Sequence, residues 1–244
     1  MNITNSYYDI HTHILPGVDD GSGSMEETLR MLQIAAEQEI GTIIATPHFF
    51  AGDQNIPVEQ LSLVRDKVQE EADKLNKKLK ILLGNELYYS ESVIDALKSK
   101  RALTLAGSRY VLVEYSVRDT YENIYKGMGE FIRAGYAPIL AHVERYSCLH
   151  KREDLVSDLV KLGCYIQMNG SSLIGGIFNS EAALNRKLLN HGLIHFVGSD
   201  CHDDKVRVPV MSSVIKNLQK KCDESLVNQI FRENPKKILE NKYI

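Results

Sequence analysis

No block of lysine and arginine stands anywhere in the 244 residues, and the formal net charge is −3. That gives no support to a nucleic-acid partner held through phosphate contacts. No apolar run approaches the roughly 18 residues a membrane span needs. The opening "MNITNSYYDIHTH" lacks a charged segment followed by an apolar core, so a signal peptide is not expected. The four cysteines (Cys148, Cys164, Cys201 and Cys222) form no C-x-x-C pair. A disulfide framework is therefore not expected, and a reducing cytoplasm is the expected location. Linkers rich in Pro, Gly or Ser are missing, as are internal repeats and low-complexity segments, so residues 1–244 read as a single domain.

What remains is an ordinary globular composition, 43% hydrophobic and 25% charged. Short β-branched runs alternate with longer amphipathic stretches. The candidate strands are "YYDIHTH", "GTIIATPHF", "LKILLGNELY", "RYVLVEYS", "APILAHVER", "GCYIQMNG" and "HFVGSDCH". Their apolar cores do not alternate cleanly, which suits strands covered on both faces. Ser24 followed by Glu27 predicts a capped helix start, with Leu29, Leu32 and Ala36 on one face. Val58, Leu61, Val64, Val68, Ala72 and Leu75 give a helical core face within 57–80. Further helices are predicted near 90–100, 119–134, 151–162, 180–191, 209–232 and 235–241. Seven strand–helix units predict an α/β fold with a parallel sheet, right-handed crossovers and a closed or nearly closed barrel.

The strand ends carry the chemistry. They read "DIHTH", "ATPH", "GNE", "LVE", "AHVER" and "GSDCH", so nearly every strand closes on a side chain able to bind a metal. In parallel α/β barrels the loops at these ends converge on one mouth. His11, His13, His48, Glu86, Glu114, His142, Asp200 and His202 are thereby predicted to share one site. In a strand, residues i and i+2 face the same way, which aims His11 and His13 at one spot. Taken singly, each has a plainer explanation: Glu86 or Glu114 as a helix cap, His48 after Pro47 as a turn residue, the histidine pair as buried and bonded to carbonyls. Five of the eight histidines falling at strand ends argues against scatter. His150, His191 and His195 are expected outside the site, on a loop, at a helix C-terminus and at the opposite mouth.

Imidazoles and carboxylates without a cysteine ligand suit Mn, Fe or Zn in mixed N/O coordination. Nine candidates, counting one of Asp19 or Asp20, are too many for one ion with an open position. They suit two or three ions sharing a bridging carboxylate, an arrangement that activates water and clamps the oxygens of an in-line displacement. Phosphate monoester hydrolysis is slow enough without a catalyst to need such charge stabilisation. Arg145 and Arg207, close after His142 and His202, offer guanidinium forks for a phosphoryl group, though either could be a surface ion-pair partner. Cys201 and Arg207 also fit C-x5-R, the spacing of thiol-based tyrosine phosphatases. The intervening "HDDKV" carries two carboxylates and no glycine, which opposes an anion cradle and a low thiol pKa. Asp200 and His202, again i and i+2, explain the segment better, with Cys201 turned away.

Together "DIHTHILPGVDDG", "TPHF", "GNE", "LVE", "AHVERY" and "GSDCH" resemble the polymerase-and-histidinol-phosphatase (PHP) superfamily, and within it the manganese-dependent bacterial tyrosine-phosphatase branch of CpsB/YwqE type. "H-x-H" is shared across the superfamily, whereas "H-I-x-P-G-V-D-D-G" and "A-H-x-E-R-Y" belong to the branch. The resemblance runs from residue 8 to about residue 240. It implies a distorted (β/α)7 barrel with three metal ions at the C-terminal ends of the strands, manganese first and iron or zinc as alternatives. It further implies that His11 and His13 share an ion with Glu86 and Asp200. Glu86 would bridge to a second ion held by Glu114 and His142, and a third would take Asp20, His48 and His202. Arg145 and Arg207 would bind phosphate. The implied substrate is the phosphorylated tyrosine-rich tail of a bacterial tyrosine kinase, and the implied role is regulation of capsule or exopolysaccharide synthesis.

Three rivals are weighed beside it, of which a nuclease or polymerase proofreading module is disfavoured by the net acidity. A small-molecule monoesterase such as histidinol-phosphatase would need a closing lid, but the longest strand-to-helix excursion, "FFAGDQNIP", is modest. A non-catalytic phosphotyrosine-binding scaffold would have lost ligands, and none of the eleven positions departs from the pattern. The paired tyrosines Tyr7-Tyr8 and Tyr88-Tyr89 are expected as core and barrel-wall residues.

Overall fold

The computed structural model describes residues 6–75, 78–175 and 179–244. Strands and helices alternate along them as β1 (Tyr7–Thr12), α1 (Met25–Glu37), β2 (Ile40–Ala45), β3 (His48–Phe50) and α2 (Val58–Lys74). Next come β4 (Lys80–Leu83), β5 (Glu86–Tyr88), α3 (Val93–Lys98), β6 (Tyr110–Glu114), α4 (Tyr121–Arg133), β7 (Ala137–Leu140) and α5 (Glu153–Leu162). The chain closes with β8 (Tyr165–Asn169), α6 (Ser180–Asn190), β9 (Phe196–Gly198), α7 (Ser212–Leu218), α8 (Glu224–Asn228) and α9 (Asn234–Leu239).

Every paired strand is parallel, as the alternation predicts. One sheet runs β1-β2-β4 and the other β3-β5-β6-β7-β8-β9. Two predicted strands are each cut in two, at Thr46-Pro47 and at Gly84-Asn85. Pro47 has no N–H to give a ladder. Its carbonyl still accepts from Glu86 N–H at 3.2 Å, and Ala45 accepts from Gly84 N–H at 2.8 Å, so the two broken runs stay side by side. At the other margin a parallel bridge joins Thr12 to Cys201, just beyond β9. His13 N–H donates to Cys201 O, and Asp200 N–H to His11 O, both at 2.9 Å.

The helix starts follow local chemistry. Ser24 caps α1 by accepting from Glu27 N–H, although the Glu27 carboxylate reaches back to Gly23 N–H rather than to Ser24. Thr120 and Asn179 cap α4 and α6 in the same way. Gly163, at φ 107°, closes α5 in the left-handed region. Two predictions need correcting. The helix expected within 57–80 stops at Lys74, and Lys80 already opens β4; residues 76–77 of that span lie outside the described residues. The single helix expected over 209–232 is two helices with a break at 219–223, where Asp223 takes an extended conformation, and then a π-helical turn into α9. Apolar periodicity survives such a break, so the pattern alone does not reveal it.

The larger core joins the inward stripes of the helices (Leu32 of α1, Val68 of α2, Phe131 of α4, Leu159 of α5, Leu189 of α6) to the strands. A smaller one gathers Ile10, Ile44, Tyr110, Leu112, Ile139 and Phe196. Leu112 lies opposite Glu86 in register, so this second core lines the same sheet face as the polar residues at the strand ends.

His195 sits at the entry of β9, as expected for the mouth away from the metal-type residues. Its Nδ1 accepts from Ile166 N–H at 3.2 Å, and burial draws its pKa down to about 4. An unfolded chain takes up that proton near pH 6.5, so stability is full above that pH and falls as pH drops towards 4. In urea midpoints measured from pH 7 to 4.5, the wild-type protein should lose more stability than His195→Gln. Gly198 leaves no room for a side chain: a Cβ there would lie 2.8 Å from His11 Cβ and 3.2 Å from Gln167 Nε2. Gly198→Ala should cost about 1–3 kcal/mol through overpacking. A thermal melt would show this as a midpoint lower by roughly 2–12 °C.

Candidate metal centre

At the centre of the mouth is the carboxylate of Glu86, the first residue of β5, buried. Its Oε2 lies 3.1 Å from His11 Nε2, 3.2 Å from His13 Nε2 and 3.1 Å from His48 Nδ1. Its Oε1 lies 3.0 Å from His142 Nε2. Asp200 Oδ1 approaches His11, His13 and His202 at 3.5–3.6 Å. Glu114 reaches His142 at 3.3 Å and His48 at 3.8 Å. Asp20 spans His48 and His202 at 3.3 and 3.5 Å. All nine residues singled out as metal-competent thus converge in one connected cluster.

The backbone that places them is less regular than strand alternation implies. His13 continues the line of β1 through its bond to Cys201, and the Nε2 atoms of His11 and His13 come within 3.3 Å. His142 and Asp200, however, sit in the left-handed region at φ 31° and 52°. Side chains larger than glycine rarely adopt it, and such strain gathers at functional sites. Asp200 and His202 therefore meet through a turn, and the i, i+2 strand geometry expected for them is not what brings them together. Gln167 holds one of these turns: its Oε1 accepts from His142 N–H at 2.6 Å and faces His11 Nδ1 at 3.3 Å.

Other groups orient the cluster: Asp19, an alternative to Asp20 by spacing alone, and Asn169 and Asp9, to which the motifs assign no role. Asp19 faces His13 Nδ1 at 2.7 Å and accepts from His48 N–H, so Asp19 supports the cluster from behind while Asp20, 67% exposed, faces it. Asn169 donates to Asp200 Oδ2 at 2.8 Å, and Asp9 accepts from Ser199 N–H at 3.0 Å. Burial pushes the Asp9 carboxyl up to about 6. The available signal was Gln167-x-Asn169, two amides on one face of an otherwise apolar strand.

The electrostatics of the cluster favour bound cations. Burial opposes charge on His13, but hydrogen bonds to Asp19 and Glu86 outweigh it and push the imidazole up to about 10. His142 rises to about 10 against burial through Glu114 and Glu86. Burial likewise opposes ionisation of Glu86, yet the surrounding histidines hold it well below the usual carboxylate range. His202, by burial and then by repulsion from His13 and Arg207, is drawn down to about 4. Asp19, Glu86 and Glu114 thus draw positive charge onto His13 and His142, the need that bound dications would meet. Donor atoms fall into three groups, each within 4.8 Å: His11, His13 and Asp200; His13, Asp20, His48 and His202; and His48, Glu86 and Glu114. His142 joins the last through Glu86 and Glu114. Hard carboxylates with imidazoles fit a divalent transition metal.

Arg145 and Arg207 both reach Asp200 Oδ2, at 3.5 and 2.8 Å, while remaining 43% and 38% exposed. They line a cleft of about 230 Å³ with Asn169, Ser199 and Asp200. The C-x5-R rival has no cradle here. Cys201 is wholly buried, and burial pushes its thiol far up. The N–H groups of Lys205, Val206 and Arg207 all go to the Asp203 carboxylate. His150, His191 and His195 lie outside the cluster, the first two paired with Glu181 and Glu153.

Known proteins resemble this chain over nearly its whole length. The tyrosine-protein phosphatase CpsB of Streptococcus agalactiae serotype V is 33% identical over 241 residues, covering 97% of this chain and 99% of its own. The tyrosine-protein phosphatase YwqE of Bacillus subtilis strain 168 is 32% identical over 244 residues, covering 97% and 92%. A crystal structure from work on YwqE of Bacillus subtilis and CpsB of Streptococcus pneumoniae, described as unique metal-dependent tyrosine phosphatases, superposes with a TM-score of 0.90. It is 30% identical and covers 97% of this chain and 96% of that one. The phosphotriesterase homology protein of Escherichia coli shares the fold at a TM-score of 0.64 and 13% identity, over 97% and 99% of the two chains. Residues 7–240 match the family described as "Capsular polysaccharide synthesis, CpsB/CapC", and the chain belongs to that family.

Proposed function

We propose that this chain is a metal-dependent phosphotyrosine-protein phosphatase that acts in the cytoplasm on the phosphorylated tail of a bacterial tyrosine kinase and so regulates capsular or exopolysaccharide synthesis. The observation that carries the reading is the Glu86-centred cluster with two half-exposed arginines at its edge. Relatives named tyrosine-protein phosphatases across nearly the whole chain support it. We read β2 with β3, and β4 with β5, as single interrupted staves. Seven staves then close through the Thr12–Cys201 bridge into a distorted (β/α)7 barrel forming one domain over residues 1–244.

His11, His13, Asp20, His48, Glu86, Glu114, His142, Asp200 and His202 would hold the ions, three by our reading and manganese first. Bound there, such ions supply a nucleophilic water at neutral pH and neutralise phosphoryl oxygens. The chain contributes position. Glu86 is shared among four imidazoles, Asp19 and Gln167 fix two of the rings, and Arg145 and Arg207 can turn from Asp200 to a phosphoryl group. A phenol, with a pKa near 10, leaves with less protonation than an alkyl alcohol requires. The segment between Phe50 and Val58 is short, which supports a mouth open to a protein substrate over one closed by a lid.

Purified protein should hydrolyse p-nitrophenyl phosphate and a phosphotyrosine peptide with Mn²⁺, lose that activity in EDTA, and keep it in Cys201→Ser. Activity that ignores EDTA and disappears with Cys201→Ser would overturn the proposal. Glu86→Gln should bind fewer Mn²⁺ ions per chain by elemental analysis. Its activity should fall by more than the roughly 10- to 100-fold that losing an outer partner costs.

A further inference from the structure

We propose that Phe50 and Tyr88 form a platform for the phenyl ring of the substrate, held in place by Asn55, and that this platform makes the site prefer aryl over alkyl phosphates. The inference rests on the phosphatase reading above. Strands β3 and β5 pair in register, His48 opposite Glu86 and Phe50 opposite Tyr88. The next pairing sets Tyr88 opposite Glu114. Two residues along a strand return to the same face. Phe50 and Tyr88 therefore stand one row outward from His48 and Glu86, on the face that carries the cluster, with Glu114 beside them. Their rings lie 5.2 Å apart at 31°, and the Phe50 ring lies 5.7 Å from that of His48.

Phe50 is 38% exposed, a large apolar side chain left open next to a polar centre. Tyr88, in the β5 wall as expected, is only partly buried. The exposure is not slackness in the loop. One side chain, Asn55, accepts from Phe50 N–H at 3.0 Å and donates to Phe50 O at 2.8 Å and Asp53 O at 3.0 Å. This amide clamp fixes both backbone groups of Phe50, and a fixed aromatic loses little freedom when a second ring packs on it. The arginines hang from the ends of β7 and β9, whereas the aromatic pair rises from β3 and β5. A phosphoryl group between the cluster and the arginines can thus direct its ester oxygen towards Phe50. In an aryl phosphate that oxygen is bonded directly to the ring, so the ring meets the platform. A glycerol or serine phosphate brings no comparable surface.

The test compares kcat/KM for phenyl phosphate and glycerol phosphate in the Mn²⁺-loaded wild-type protein and in Phe50→Leu, Tyr88→Leu and Asn55→Ala. An aromatic pairing of ordinary strength corresponds to a fall of about 2- to 10-fold in the phenyl-to-glycerol ratio for Phe50→Leu, expressed mainly in KM. Tyr88→Leu should shift the ratio in the same direction, and so should Asn55→Ala, by less. A ratio that stays at the wild-type value in Phe50→Leu and Tyr88→Leu would overturn the platform while leaving the phosphatase reading intact. A wild-type protein that hydrolyses neither ester would overturn that reading and the platform with it.

Discussion

Everything at the mouth depends on one buried carboxylate. Glu86 lies within about 3 Å of four imidazoles contributed by β1, β3 and the turn after β7. An unpaired carboxylate at that depth would be strongly disfavoured, and so would four histidines competing for protons without it. The two sides make each other tolerable, and they do so by gathering strand ends that are far apart in sequence. The neighbouring carboxylates outweigh burial at His13 and His142 and push both imidazole pKa values up, a setting that favours a bound cation.

The fold bends its own rules to meet that requirement. Two strands are interrupted just before the residues that matter, at Pro47 ahead of His48 and at Asn85 ahead of Glu86. Two other residues, His142 and Asp200, turn through left-handed backbone. Asn85 mends one interruption, donating to Pro47 O and accepting from Leu103 N–H. Gln167 steadies the His142 turn. Regular structure carries each side chain to the rim, and local irregularity aims it.

This division also explains what could be read in advance. Period and composition suffice for parallel α/β architecture, and the run of metal-competent residues at strand ends suffices for the membership of the cluster. Those are properties of spacing, which a linear string records. The choice between Asp19 and Asp20 is different, because both are adjacent and acidic. Spacing leaves both open and only the resemblance favours Asp20; the turn shows Asp19 bonded to His13 Nδ1 and Asp20 spanning His48 and His202. Gln167 and Asn169 carry no distinct signal, since an amide in a strand has many uses. The break at 219–223 was invisible because both flanking helices keep an apolar stripe.

Cys201 lies between two residues of the cluster yet points into the core, its thiol held protonated by burial. Peroxide and alkylating agents act on thiolates, so they find no target at that position. The one thiol flanked by Asp200 and His202 is thus shielded from the reagents to which thiol-based phosphatases are sensitive.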